Sequence, residues 1–185
     1  MPIDRGTLQR HLNGVFVETG AGPCIGSRTA LELGVPRVFV IEFDPEIYER
    51  AVDRYRGEPR VQVVFGDAGK VLSEVIAPIN EPITFWLDAH GKSPETKPRL
   101  ASKPLLQELA AIAAHPLRLQ HTVLIDDYDV VLRPGTARHL TDTNVRDALR
   151  KINPHFRLSR VDGLINPKRG PLWLVLIAEP DTMVD

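Results

Sequence analysis

Five short runs of almost unbroken apolar residues recur along the chain: "VFVE" (15–18), "VFVIE" (38–42), "VQVVFG" (61–66), "ITFWLDA" (83–89) and "HTVLIDD" (121–127). A strand with one wet face alternates apolar and polar residues, whereas a strand covered on both faces has no need to. Segments with helical spacing lie between the runs. "SRTALELG" (27–34) ends in a glycine suited to close a helix, and "DPEIYERAVDRYRG" (44–57) offers Asp44 as N-cap and Pro45 at the first helical position. "KPLLQELAAIAAHP" (103–116) and "TDTNVRDALRKINP" (141–154) complete the set. Strand and helix alternate, so the fold class is α/β with a mainly parallel, doubly wound sheet.

Two further strands follow, "FRLSRVD" (156–162) and "LWLVLIAE" (172–179), joined only by "GLINPKRGP". A link that short suits an antiparallel hairpin rather than a helical crossover. No repeat, low-complexity tract or linker breaks the pattern, and residues 1–185 are expected to form a single domain. The 23 basic and 24 acidic residues leave a formal charge of −1, so no nucleic acid partner is expected. The lone Cys24 excludes an internal disulfide and any multi-cysteine metal site. No window approaches roughly 18 consecutive apolar residues, and the first residues lack a signal-peptide run. A cytoplasmic protein with no membrane partner is the expectation.

Each of the five parallel strands ends at or beside an acid: Glu18, Glu42 with Asp44, Asp67, Asp88, and the pair Asp126 and Asp127. These ends surround the glycines of "GAGPCIGSRT", which turn the chain from the first strand into a helix. Open α/β sheets bind ligands at that end. The glycine spacing is G-x-G-x-x-x-G, which misses the dinucleotide pattern, and no Gly-Lys-Ser/Thr follows as a phosphate loop requires. Glu42 lies about 20 residues beyond Gly20, the spacing expected between a glycine turn and a ribose-binding acid. A carboxylate accepts from both ribose hydroxyls and would repel a ribose phosphate.

The series "FVETGAGPCIG…VFVIEFDPE…VVFGDAG…FWLDAHG…VLIDD" resembles the class I S-adenosylmethionine-dependent methyltransferases, and within them small bacterial proteins with "LDAH" and "IDD" in series. The resemblance spans most of the chain. It implies a seven-stranded sheet of order 3-2-1-4-5-7-6, the seventh strand inserted antiparallel between the fifth and sixth. It implies that Glu18 and the backbone of Gly20, Ala21 and Gly22 hold the methionine end of S-adenosyl-L-methionine. Glu42 would take the ribose hydroxyls, Asp67 and Ala68 would face the adenine edge, and Asp88 would lie beside the ammonium or the reacting centre.

A second resemblance, to metal-dependent catechol O-methyltransferases, maps Mg²⁺ ligands onto Asp88, Asp126 and Asp127. Three carboxylates with room for water suit a hard divalent cation. The alternative for the aspartate pair is a strand end followed by a cap or turn. Asp127 stands where that family has Asn, and Gly91 stands where it has its lysine base. His90 and Lys92 are the neighbouring candidates for a catalytic base beside Asp88. Glu108, in "PLLQEL", reads either as a solvated helix residue or as an inward acid completing the site. His11, His115, His121, His139 and His155 show no ligand spacing. Residues 90–103 and 128–140 leave the carboxyl ends of the fourth and fifth strands, as a lid or as solvated connectors.

The expected function is methyl transfer from S-adenosyl-L-methionine to a small-molecule acceptor at oxygen, with Mg²⁺ assistance as one version. With only "MPIDRGTLQRHLNG" ahead of the first strand, the two loops or a second subunit of a homodimer would close the pocket. The alternatives are a non-catalytic S-adenosylmethionine- or nucleotide-binding protein of the same fold and an NAD-dependent oxidoreductase.

Overall fold

The apolar runs become the strands of a seven-stranded sheet. The computed structural model describes residues 4–89, 104–128, 140–162, 165–166, 170–171 and 174–181. The parallel strands are β1 (Val15–Thr19), β2 (Arg37–Glu42), β3 (Val61–Phe65), β4 (Ile83–Leu87) and β5 (Thr122–Ile125). Then come β6 (Phe156–Asp162), a small ladder of β7 (Ile165–Asn166) and β8 (Gly170–Pro171), and β9 (Leu174–Pro180). The sheet order is β3-β2-β1-β4-β5-β9-β6, with β9 antiparallel to both of its neighbours. Counting only the strands of this sheet, that is the expected 3-2-1-4-5-7-6. The short β7–β8 ladder lies inside the segment read as a plain hairpin link.

Period-two alternation sorts each buried strand onto two helical layers. Val15 and Val17 of β1 and Ile83, Phe85 and Leu87 of β4 pack with α4 (Ala68–Ile76), α5 (Leu105–Ala114) and α6 (Asp142–Ile152). Phe16 and Trp86 point the other way, into a cluster with α1 (Arg5–Arg10), α2 (Ile25–Glu32) and α3 (Pro45–Arg54). Burial on both faces is what the unbroken apolar runs required. β3, at the sheet edge, is only partly buried, and its last residue Phe65 is 52% exposed.

Local chemistry sets the helix starts. Asp44 accepts from the N–H groups of Glu46 and Ile47 with Pro45 next in line, and Thr141 accepts from Asn144. α4, which the spacing did not single out, starts at Asp67, whose side chain accepts from Gly69. No helix among the described residues is long and apolar enough to cross a membrane.

The floor of the sheet holds a buried histidine pair. The Ile83 N–H donates to His121 Nδ1 (3.1 Å), so His121 Nε2 carries the proton and donates to His115 Nδ1 (2.8 Å). His115 Nδ1 also accepts from Leu117, leaving Nε2–H to meet the carbonyls of Ile76 (3.2 Å) and Ile79 (3.1 Å). The relay ties α4, β4, α5 and β5 together, a structural role for two histidines that carried no ligand pattern.

Burial, reinforced by His115, pushes the His121 imidazole down to about 4. Its folded-state value lies below the unfolded one. Its contribution is therefore whole above the unfolded value of about 6.5 and is lost as pH falls toward 4. Over that window His121 alone costs about 3 kcal/mol. Denaturant unfolding of wild type and His121→Asn, compared at neutral and acidic pH, is expected to show the gap between them narrowing as pH falls.

Candidate ligand site at the carboxyl ends of the strands

Three glycines leave β1, and the structure gives each a separate reason. Gly20 (φ +80°) packs so tightly on the end of β4 that a Cβ there would stand 2.6 Å from the Asp88 carbonyl oxygen. A Cβ on Gly26 would stand 2.5 Å from Glu18 Oε1. Gly22 (φ +43°) would meet nothing within 4 Å. The first and last glycines therefore admit neighbouring protein, and the middle one faces open space in a conformation side chains rarely take.

Two buried carboxylates grip this turn from opposite sides. Glu42, 4% exposed at the end of β2, accepts from Ala21 N–H through Oε2 (2.9 Å) and from Phe43 and Asp44 through Oε1 (2.8 and 2.9 Å). Glu18, 2% exposed, accepts from Gly26 through Oε1 and from Ser27 through Oε2, both at 3.1 Å. It thereby caps α2, whose own N-cap Cys24 sits in the left-handed region (φ +57°) and offers no side-chain bond. Burial nonetheless raises the Glu18 carboxyl to about 7. Glu18, Ala21, Pro23, Ile25, Gly26, Trp86 and Asp88 line a cavity of about 20 Å³, room for a group the size of a water molecule.

Asp67 caps α4 and Ala68 is buried at its first position. The Asp88 N–H donates to the Thr19 carbonyl (3.0 Å), placing Asp88 directly beside the glycine turn. Burial and then the charges of Asp126, Asp127 and Glu18 hold the Asp88 carboxyl well above the usual range. Asp126 is 4% exposed and is raised to about 7, by burial first and Asp127 second.

The Mg²⁺ set expected at Asp88, Asp126 and Asp127 is not formed: among the described residues no three acidic, histidine or cysteine side chains converge as metal ligands. The aspartate pair makes a turn. Asp126 Oδ1 accepts from the N–H of Asp127 (2.8 Å), and Asp127 adopts φ +49°, which redirects the chain. Tyr128, 1% exposed, anchors the turn by donating to Asp142 Oδ1 (2.6 Å). Asp142 also accepts from Arg146 (2.6 Å) and Arg160 (3.0 Å), and Arg160 stacks over the Tyr128 ring. His90 and Lys92 lie outside the described residues, as do the two loops apart from Tyr128 and Leu140.

Glu108 turns inward and is fully buried, so its solvated reading is corrected. The signal was in the sequence. Leu105, Glu108, Leu109 and Ile112 form one i, i+3, i+4, i+7 stripe, and that stripe is the buried face of α5. Sequence reasoning also passed over Thr19, whose side chain is buried next to the glycine turn, and the Tyr128 anchor.

The contact geometry separates glycines that look alike in sequence. Gly34 (φ +91°), just past α2, would meet nothing within 4 Å if given a Cβ, so Gly34→Ala carries conformational strain alone. Gly20→Ala adds a backbone clash and is expected to cost at least about 2 kcal/mol more. Thermal or denaturant unfolding of the two variants checks the difference.

No family model and no curated protein matches the sequence. Solved structures do match the fold. A SAM-dependent methyltransferase from Aquifex aeolicus is similar at 18% identity, covering 96% of this chain and 89% of that one, with a TM-score of 0.59. A Streptococcus mutans protein in complex with SAH is similar at 14% identity, covering 95% and 94%, with a TM-score of 0.60. An rRNA methylase from Streptococcus thermophilus is similar at 14% identity, covering 96% and 94%, with a TM-score of 0.59. At these identities the likeness is one of architecture, and it agrees with the sheet order: the chain has the Rossmann-like class I fold of the S-adenosylmethionine-dependent methyltransferases.

Proposed function

We propose that this protein is an S-adenosylmethionine-dependent methyltransferase acting on a small-molecule acceptor at oxygen. The observation that carries the reading is the glycine turn. It is gripped by Glu42 and Glu18 and opens at Gly22, on a sheet whose order is that of the methyltransferase fold. The bound SAH of the Streptococcus mutans structure supports the choice of ligand.

In this reading Glu42 accepts from the ribose hydroxyls. Its oxygens hold three backbone N–H groups and still have acceptor capacity, since a carboxylate offers about four lone-pair sites. The backbone of Gly20, Ala21 and Gly22 borders the methionine end. The small cavity by Glu18 and Asp88 suits its ammonium, since both side chains are acids. Asp67 and Ala68 flank the adenine edge. The cofactor supplies a methyl group on a cationic sulfur. The protein supplies orientation and a proton acceptor. Asp126, at about 7, is tuned to take a proton from an acceptor hydroxyl near neutral pH, with Asp88 beside it. No metal-assisted step is part of this reading.

A nucleic acid acceptor is the second reading. The similarity to an rRNA methylase favours it and weakens the expectation against nucleic acid, while the net charge of −1 opposes it.

Calorimetric titration tests the cofactor assignment. S-adenosylhomocysteine is expected to bind and NAD is not, and failure of S-adenosylhomocysteine to bind would overturn the proposal. Glu42→Ala is expected to weaken binding by about 30- to 1000-fold, the loss of a charge-assisted pair of hydrogen bonds. Because Glu42 also holds Ala21, the variant's fold must be checked by circular dichroism. With an acceptor from a screen that includes RNA, turnover is expected to rise with pH through about 7 as Asp126 loses its proton. A flat profile across that range would remove Asp126 from the role.

A further inference from the structure

The two outer edges of the sheet are finished differently. β6 carries Arg157, Arg160 and Asp162, and charges of that kind keep an edge from pairing. β3 reads VQVVF, without a charge, a glycine or a proline, and no strand among the described residues pairs with its outer side. Val61, Val63 and Val64 are half-buried there and Gln62 is exposed. Phe65 is 52% exposed, with its ring in edge contact with Tyr48 of α3 (centroids 5.2 Å apart). A bare, uncharged, largely apolar edge is a template for another strand.

The hydrogen bonds that β3 makes inward show which of its groups face out. The Arg60 carbonyl accepts from Val38 N–H (2.8 Å), and Gly66 N–H donates to the Glu42 carbonyl (2.9 Å). Even-numbered residues therefore turn their backbone toward β2, and Val61, Val63 and Phe65 turn theirs outward. Val61 N–H is taken by the Glu58 carbonyl (3.1 Å). The Val61 carbonyl and both backbone groups of Val63 and Phe65 are left for a neighbour. That set is complementary to itself. With two copies antiparallel about Val63, each Val63 N–H donates to the other Val63 carbonyl. Each Phe65 N–H then meets a Val61 carbonyl, and no existing bond is broken.

The side chains agree with this register. A two-fold axis through Val63, perpendicular to the sheet, keeps the odd-numbered side chains of both copies on one face. Each exposed Phe65 then stands opposite a Val61, a favourable aromatic and β-branched pair. On the other face Gln62 meets Val64, so no like charges are opposed. α3 packs over β2 and β3 on the face of Val61 and Val63. Its charges are sorted along its length: Glu46 and Glu49 near the start, Arg54 and Arg56 around the end, with Asp53 the one acid among them. The same axis sets the two α3 helices antiparallel, so the acidic start of each lies toward the basic end of the other. Backbone, side chains and charge thus all favour a second copy over an unrelated strand.

We propose that the outer edge of β3 is a docking surface for a second copy of this chain, joining two sheets antiparallel through Val61–Phe65 about an axis at Val63. The pairing does not depend on which ligand the strand ends take.

Sedimentation of the full chain tests it. Wild type is expected to be dimeric in the micromolar range. Val63→Pro removes the N–H on the axis, which faces outward, so a single chain tolerates it while the dimer is expected to weaken at least about 30-fold. If circular dichroism shows that Val63→Pro fails to fold, Phe65→Lys, at an exposed position, carries the test with a similar loss expected. Adding Val61→Glu to Phe65→Lys is expected to restore association by at least about fivefold. Residues 61 and 65 can meet only across the axis, since within one strand they stand about 13 Å apart. A wild type that stays monomeric through the micromolar range overturns the proposal. So does a folded Val63→Pro or Phe65→Lys that associates as tightly as wild type. Failure of Val61→Glu to restore association overturns the register about Val63.

Discussion

The site depends on one constraint: the backbone of the glycine turn must be held open, and two buried carboxylates do the holding. Glu42 fixes the turn's near side through Ala21, and Glu18 fixes its far side through the first N–H groups of α2. The backbone bond from Gly20 to the Ile41 carbonyl continues the β1–β2 pairing past the last strand residue and delivers the turn to Glu42 (2.9 Å). Strand pairing, carboxylate and glycine are thus one unit. The acids do structural work first, and their chemistry toward a ligand comes from whatever acceptor capacity remains.

The same arrangement concentrates negative charge in a poorly solvated place. Glu18, Asp88, Asp126 and Glu108 all have raised carboxyl pKa values, and burial is the largest cause for each. Raised acids oppose folding as pH climbs, since the folded chain must then hold charges that the unfolded chain would hydrate. His121 works in the opposite direction, because acid forces a charge into the floor of the sheet. Stability is therefore squeezed from both ends of the pH scale, by His121 ahead of β5 and by the acids around the carboxyl ends of the strands. A cationic ligand among the acids would relieve one side of that squeeze.

Much of this architecture was legible in the amino-acid sequence. Doubly covered strands announce themselves by length and lack of alternation, and "VFVIE" followed by "DPE" marks both a strand end and a helix start. The short link before the final strand pointed to an antiparallel partner. The failures have physical reasons. Asp126 and Asp127 read equally well as ligands or as a turn, and it took the backbone angle of Asp127 and its N–H bond to Asp126 to show the turn. Glu108 was obscured because an acid on a helix is usually wet, although its place in the Leu105, Leu109 and Ile112 stripe said otherwise. The histidine relay could not be seen, since it joins segments far apart in sequence through ring nitrogens that have no spacing rule.

The position of β9 has a consequence for how the protein is made. This strand lies between β5 and β6, with both of its edges paired. Until residues 174–180 leave the ribosome, β5 presents a bare edge and β6 has no neighbour in the sheet. The five parallel strands can assemble as they emerge, but the carboxyl-terminal side of the sheet must wait for a late insertion. During that wait an apolar strand edge is exposed, the kind of surface that recruits other chains. Biosynthesis thus passes through an interval in which that edge is open to other chains, and the interval closes only when residues 174–180 dock between β5 and β6.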